Sequence, residues 1–230
     1  MIMSYIASQN LSRQYGTGSA AVTAVEDINL SIELGEFVAI MGESGAGKST
    51  LLSIMGAMNE PSTGRYLVDD IDVYGLSQDS RADFRREFLG FVFQSFHLMP
   101  YLTVVENTML PLTALKISRQ EKKEMALEAL ANVGLEDKAD RLPSQISGGE
   151  KERVAIARAI VNRPPVILAD EPTGNLDTHT SQEIMELLQK LNREGATIVM
   201  VTHSHSCSRY ANRLLTVSDG KITDEIVNAN

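Results

Sequence analysis

Three apolar runs rich in β-branched residues, at 37–41, 166–169 and 197–201, lack the polar alternation of half-exposed strands. That pattern predicts strands covered on both faces, as in a parallel sheet. Between them the apolar spacing becomes helical. Ser118 and Glu121 form a capping box ahead of Met125, Leu127, Leu130 and Val133, and Gly134 supplies the stop. Asp177 or Thr178 caps a second helix that carries Ile184, Leu187, Leu188 and Leu191 and ends near Gly195. The first third reads differently, because short or alternating runs near 5–11, 25–32 and 66–73, joined by small polar turns, predict an antiparallel flap. At the other end, Ser218-Asp219-Gly220 between 213–217 and 221–225 carries a hairpin signature.

These elements predict one α/β domain over residues 1–230, with a mostly parallel sheet core (about 1–93 and 164–230), an N-terminal antiparallel β subdomain and a helical subdomain (about 94–163). A length of 230 residues suits one large domain rather than two. The 43% hydrophobic content excludes a disordered chain. With 21 Lys and Arg against 30 Asp and Glu the net charge is −9, so no nucleic-acid partner is expected. The single cysteine, Cys207, gives no disulfide framework and suits a reducing compartment. Residues 1–9 lack the basic and apolar regions of a secretory signal, so export is not expected. No apolar stretch approaches the roughly 18–20 residues that span a bilayer, so work at a membrane would need a partner to cross it.

The chemistry begins directly after the first buried run, with Gly42, Glu43, Ser44, Gly45, Ala46, Gly47, Lys48, Ser49 and Thr50, followed by the helical run Leu51, Leu52, Ile54, Met55. Spacing and context match a phosphate-binding loop between strand and helix. Glycines let successive N–H groups converge on phosphate oxygens, Lys48 reaches the terminal phosphates and the Ser49 hydroxyl ligates Mg²⁺. An ordinary glycine-rich turn would need neither the lysine nor the hydroxyl. A second buried run ends in Asp170-Glu171, where Asp170 would hold the metal and Glu171 would act as general base towards water. The plain alternative is a solvated strand end.

Ser147, Gly148, Gly149 and Glu150 open a helix that runs through Val154, Ile156, Ala157 and Ile160 to Arg163, where Pro164-Pro165 stops it. Capping accounts for Ser147 and Glu150. Two glycines in a first turn cost roughly 1 kcal/mol each against alanine, a penalty that fits close approach of an anion to the bare N–H groups. His203, His205 and Cys207 alternate, so on a strand they could face one way as metal ligands, but three residues on one strand converge poorly on one ion and no metal site is expected there. Asp69, Asp70 and Asp72 read as a turn, without calcium-loop spacing.

These pieces in this order resemble the nucleotide-binding subunit of ABC transporters over almost the whole chain, and residues 91–94, 98–100 and 169–177 are most similar to the lipoprotein-release, macrolide-export and cell-division branch. The resemblance implies a P-loop NTPase (RecA-like) core that binds ATP and Mg²⁺ and hydrolyses ATP. It implies that Tyr15 stacks on adenine, Gln94 senses Mg²⁺ or water, Asp177 belongs to a loop beside the nucleotide and His203 holds the γ-phosphate. It further implies a head-to-tail homodimer, each ATP lying between residues 42–50 of one copy and Ser147, Gly148 and Gly149 of the other. Closure would move an integral membrane permease docked near residues 95–111, placing the chain on the cytoplasmic face of the inner membrane. The cargo would be lipids, lipoproteins, peptides or drugs; the alternative is a cell-division-type signalling ATPase that controls an extracytoplasmic enzyme. Four positions depart from the family pattern: Glu43, expected to point outward; Ile146, in place of the usual leucine before the serine; Glu150, in place of a common glutamine; and Ser204, where aspartate often follows the histidine.

Overall fold

The computed structural model describes residues 4–228, so Met1, Ile2 and Met3 of the segment screened for a signal lie outside the described residues. In chain order the elements are β1 (Ile6–Tyr15), β2 (Val22–Ile32), β3 (Phe37–Met41), α1 (Lys48–Met55), β4 (Thr63–Val68), β5 (Ile71–Asp72), α2 (Gln78–Phe88) and β6 (Leu89–Phe93). There follow α3 (Val104–Met109), α4 (Arg119–Asn132), α5 (Gly148–Ile160), β7 (Val166–Asp170), α6 (Thr178–Arg193), β8 (Thr197–Val201), α7 (His205–Ser208), β9 (Arg213–Ser218) and β10 (Lys221–Val227). Among the described residues no helix is long and apolar enough to cross a membrane.

β2-β1-β4-β5 form an antiparallel sheet, and β10-β9-β3-β8-β7-β6 form a second sheet in which every pairing is parallel except the terminal β9-β10 hairpin. The parallel strands lack polar alternation because both faces are covered. Phe37, Ala39, Ile167, Ala169, Ile198 and Met200 point into one cluster with α3, α4, α5 and α6. Their neighbours Val38, Ile40, Val166, Leu168, Val199 and Val201 point into another with α1 and the antiparallel sheet. The period-two alternation of a strand thus divides one apolar run between two cores.

The structure adds elements that the apolar pattern did not show, β6 and α2 among them, corrects one boundary and replaces one strand reading by a helix. β6 escapes the pattern because Gly90 interrupts it; a Cβ there would lie 2.3 Å from the Ala159 carbonyl oxygen on α5, so the helix needs a bare strand position. α2 buries only Phe84 and has almost no apolar face to read. α5 ends at Ile160 rather than Arg163, which takes φ +52°; the residue before a proline is driven out of the helical region. His205 and Cys207 lie on the short helix α7 rather than on a strand with His203, so the one-faced metal arrangement does not form; the described residues contain no cluster of three or more His, Cys, Asp or Glu placed to hold a metal.

One buried carboxyl stands out in this core. Glu152 on α5 is 1% exposed, and neither of its oxygens has a hydrogen-bond partner. Burial pushes its pKa up to about 8 against the opposing pull of Arg158. The folded carboxyl therefore stays protonated where the unfolded one ionises, so its stability contribution is full below about pH 4.5 and is lost as pH rises to about 8. Glu152→Gln should flatten this slope: the parent should lose about 2 kcal/mol or more relative to the variant between pH 5 and 8 in denaturant titrations.

Candidate functional site

Because β3, β6, β7 and β8 run parallel, their carboxyl ends meet at one edge of the sheet, the edge where open α/β sheets bind ligands. The loop after β3 brings Ser44, Gly45, Gly47, Lys48, Ser49 and Thr50, β6 brings Gln94, β7 ends in Asp170 and Glu171, and β8 leads to His203. All ten line one cavity of about 530 Å³.

Packing within the chain dictates two of the loop's glycines. A Cβ on Gly42 would lie 2.1 Å from the Val217 carbonyl oxygen of β9, and one on Gly47 would lie 2.0 Å from that of Ala24 on β2. Gly45 meets nothing; its need is conformational, with φ +83°. The Gly220 amide, in the turn of the terminal hairpin, donates to the Ala46 carbonyl at 3.0 Å and ties that turn to the loop. Ala46 is buried beneath, whereas Glu43 is exposed and absent from the cavity wall.

Lys48 is 5% exposed, and its Nζ donates to the carbonyls of Gly42 (2.9 Å) and Glu43 (2.8 Å). An ammonium has three donors, so one remains for an anion in the cavity. Burial pulls its pKa down, opposed by the charges of Glu171 and Asp170. Burial raises the pKa of Asp170, opposed by Lys48 and His203. It raises that of Glu171 too, opposed by the His203 backbone N–H and ring. Glu171 sits at φ +50°, in the left-handed region that costs a non-glycine roughly 1–2 kcal/mol. Its N–H donates to the Val201 carbonyl (3.0 Å), and its Oε2 accepts from the His203 N–H (3.3 Å). Oε1 is buried without a hydrogen bond, and the His203 Nε2 lies 3.4 Å from it, short of hydrogen-bond alignment. A buried carboxylate oxygen facing a cavity beside Asp170, the Ser49 hydroxyl and the Gln94 amide forms an all-oxygen donor set suited to Mg²⁺.

Outside the loop, five of the residues singled out in the sequence lie elsewhere. Tyr15, Ser147, Gly148, Gly149 and Asp177 do not line the cavity. Tyr15 ends β1, 39% exposed, with the Arg13 guanidinium 4.7 Å over its ring. Ser147 caps α5 in a full capping box: Glu150 Oε2 accepts from the Ser147 N–H at 2.7 Å, which holds the Glu150 carboxyl below its ordinary range, while Ser147 Oγ accepts from the Glu150 N–H at 3.3 Å. Ser147 and Gly148 are exposed. Asp177 caps α6, its carboxylate accepting from the Thr180 N–H (3.0 Å) and hydroxyl (2.6 Å). Ser204 likewise caps α7 through the Cys207 N–H (3.3 Å), a role serine and aspartate fill equally well.

The two glycines of α5 differ. A Cβ on Gly149 would fall 2.4 Å from Thr180 Cγ2, whose side chain is held by Asp177, whereas one on Gly148 would make an ordinary 3.6 Å contact with Leu176. Packing within the chain therefore explains Gly149, and only Gly148 is left for an external group. Sequence reasoning also missed the place of Gly174 in the cavity and the bond from Asn175 to Gln94. Gly174 lines the cavity, where a Cβ would lie 2.8 Å from Gln94 Nε2, and Asn175 Nδ2 donates to the Gln94 carbonyl at 2.8 Å. No local pattern marks these contacts between distant loops.

Residues 25–174 match the family described as ABC transporter. The chain is 46% identical to the ABC transporter ATP-binding protein YvrO of Bacillus subtilis over 93% of both chains. It is 45% identical to the ABC transporter ATP-binding protein MJ0796 of Methanocaldococcus jannaschii over 96% of both. Against the macrolide export ATP-binding/permease protein MacB of Vibrio parahaemolyticus the identity is 44%, over 96% of this chain and 34% of that protein. A dimeric structure of the MJ0796 cassette in a post-hydrolysis state bound to ADP and Pi matches with a TM-score of 0.89 at 42% identity, covering 98% of this chain and 99% of that one.

The contrast between the two α5 glycines is measurable in the isolated protein. Gly149→Ala should cost about 1–3 kcal/mol through overpacking against Thr180, a Tm loss of roughly 3–10 °C at this chain length. Gly148→Ala should leave the thermal transition unchanged or raise it by up to about 2–4 °C, because alanine removes a first-turn glycine penalty of roughly 1 kcal/mol; equal losses at both positions would show that Thr180 is not what excludes a side chain at 149.

Proposed function

The chain belongs to the ABC transporter family as an ATP-binding cassette that hydrolyses ATP, and on that footing we propose that two copies close head to tail, each nucleotide shared between the cavity of one and the α5 tip of the other. One observation carries this reading: six groups suited to phosphate, cation and water (Lys48, Ser49, Gln94, Asp170, Glu171 and His203) converge on one cavity, while Ser147 and Gly148 stand exposed outside it.

In the closed pair the loop amides and Lys48 bind the phosphates of ATP. Ser49, Asp170 and Gln94 would hold Mg²⁺, which supplies charge neutralisation between phosphate oxygens. Glu171 takes a proton from the attacking water, its basicity raised by burial, and His203 orients the terminal phosphate. Tyr15 offers a face to the base. Asp177 contributes through position: by capping α6 it fixes Thr180, against which Gly149 packs, and so sets where the α5 tip points. The Ser147 hydroxyl, whose oxygen accepts from Glu150, keeps its O–H for an anion.

The membrane partner fits a second cavity, of about 770 Å³, between α2, β6 and α5. Its apolar wall includes Met58, Leu89, Phe91 and Pro111, and Arg85, Arg86 and Arg158 add guanidinium groups. This groove takes a cytoplasmic segment of a permease of the macrolide-export or lipoprotein-release kind, which holds the cassette at the inner face of the membrane. Of the span 95–111 expected to dock the partner, only Pro111 lines the groove, so most of the surface comes from β6 and the helices beside it.

Glu171→Gln should retain ATP binding, lower turnover roughly 10²- to 10⁴-fold and accumulate a dimer with MgATP on size-exclusion chromatography with light scattering. A variant that stays monomeric at saturating MgATP would overturn the shared site. Lys48→Ala should abolish nucleotide binding measured by calorimetry. Because Glu171 works as a carboxylate and burial raises its pKa, kcat/KM should fall on acidification at a pH above the ordinary carboxylate range.

A further inference from the structure

Gln94 follows the last residue of β6 and precedes a segment of unusual backbone. Phe96 and His97 both take left-handed conformations, φ +59° and +49°, each disfavoured for a residue with a side chain. Local bonds hold them: the Phe96 N–H donates to the Phe93 carbonyl (2.9 Å), the His97 N–H to the Ser95 carbonyl (2.6 Å), and the His97 ring lies 4.9 Å from that of Phe93. The carbonyls of Phe96 and His97 are left to accept from one side chain, Arg158 of α5, at 2.6 Å each through Nη2 and Nη1.

That guanidinium is an expensive choice for a structural strap. Arg158 is drawn out of water, and burial pulls its pKa down. Its two parallel donors match two adjacent carbonyls as a lysine cannot. It also lines the groove between α2, β6 and α5, whereas Gln94, two residues before the first carbonyl it grips, lines the nucleotide cavity. On the far side, Asn175 holds the Gln94 carbonyl and Gly174 leaves no room behind its amide. The glutamine is thus placed by two supports, one in the cavity and one reaching it from the groove.

We propose that Arg158 is a positioning residue for Gln94, acting through the carbonyls of Phe96 and His97. The proposal rests on the cation-side role given to Gln94 above. Arg158→Lys is the informative substitution, because it keeps a positive charge near the buried Glu152 carboxyl and removes only the paired geometry.

Two measurements on the full chain test it. Hydrogen exchange without nucleotide should be about tenfold faster or more over residues 95–98 in Arg158→Lys, while α4 and α6 stay unchanged. ATPase assays across a Mg²⁺ series, on the parent, Gln94→Ala, Arg158→Lys and the double variant, should show that Arg158→Lys raises the half-saturating Mg²⁺ concentration roughly three- to tenfold with kcat at saturating Mg²⁺ within about twofold. It should add nothing further in the Gln94→Ala background. If Gln94→Ala moves the Mg²⁺ dependence but Arg158→Lys does not, or its effect is equal in both backgrounds, the Arg158 proposal falls and the reading of Gln94 stands. If Gln94→Ala leaves the Mg²⁺ dependence unchanged, that reading fails and the proposal fails with it.

Discussion

Parallel pairing is the constraint from which the site follows. Once β3, β6, β7 and β8 share a direction, whatever follows each strand is delivered to the same edge. Four segments that are distant in sequence then supply an amide loop, an amide side chain, two carboxylates and an imidazole without any one of them having to reach. The pairing itself depends on burial of both faces, for which the divided apolar runs of β3, β7 and β8 provide residues on each side. Core packing and site geometry are two results of one arrangement.

The electrostatics depend on the same burial. Lys48, Asp170 and Glu171 shift in the directions that weaken charge; the two carboxylates partly restore the lysine, Lys48 and His203 partly restore each carboxylate, and Asp170 pushes Glu171 further the same way. A group of this kind responds strongly to any added phosphate or cation, because low surrounding polarity lengthens the reach of each charge. The strained backbone at Glu171 belongs to this economy: φ +50° turns the carboxyl back towards His203 and the cavity rather than along the strand axis.

Much of this was legible in the chain itself. The strands at 37–41 and 197–201, the two capping boxes, the terminal hairpin and the phosphate loop each carry a local pattern, and the structure places them where the pattern indicates. What escaped was non-local. Gly90 hides β6 because it answers to α5, and Gly149, which looked like an invitation to an anion, answers to Thr180. The grip of Arg158 on two carbonyls over sixty residues earlier has no sequence signature, and neither does the link from Asn175 to Gln94. Periodicity reports how a segment meets the core; it is silent on which loops meet each other.

The tie between the Gly220 amide and the Ala46 carbonyl has a bearing on biosynthesis. The loop at 42–50 leaves the ribosome well before its sheet neighbours, for its flanking strand pairs with β8 and β9, and its underside rests on the turn at Gly220. At ordinary translation speeds some 170 residues separate Lys48 from Gly220, roughly ten to thirty seconds of elongation. Until β8 and β9 have been made, the central strand has neither sheet neighbour. The final geometry of the loop therefore waits on translation of residues far downstream of it.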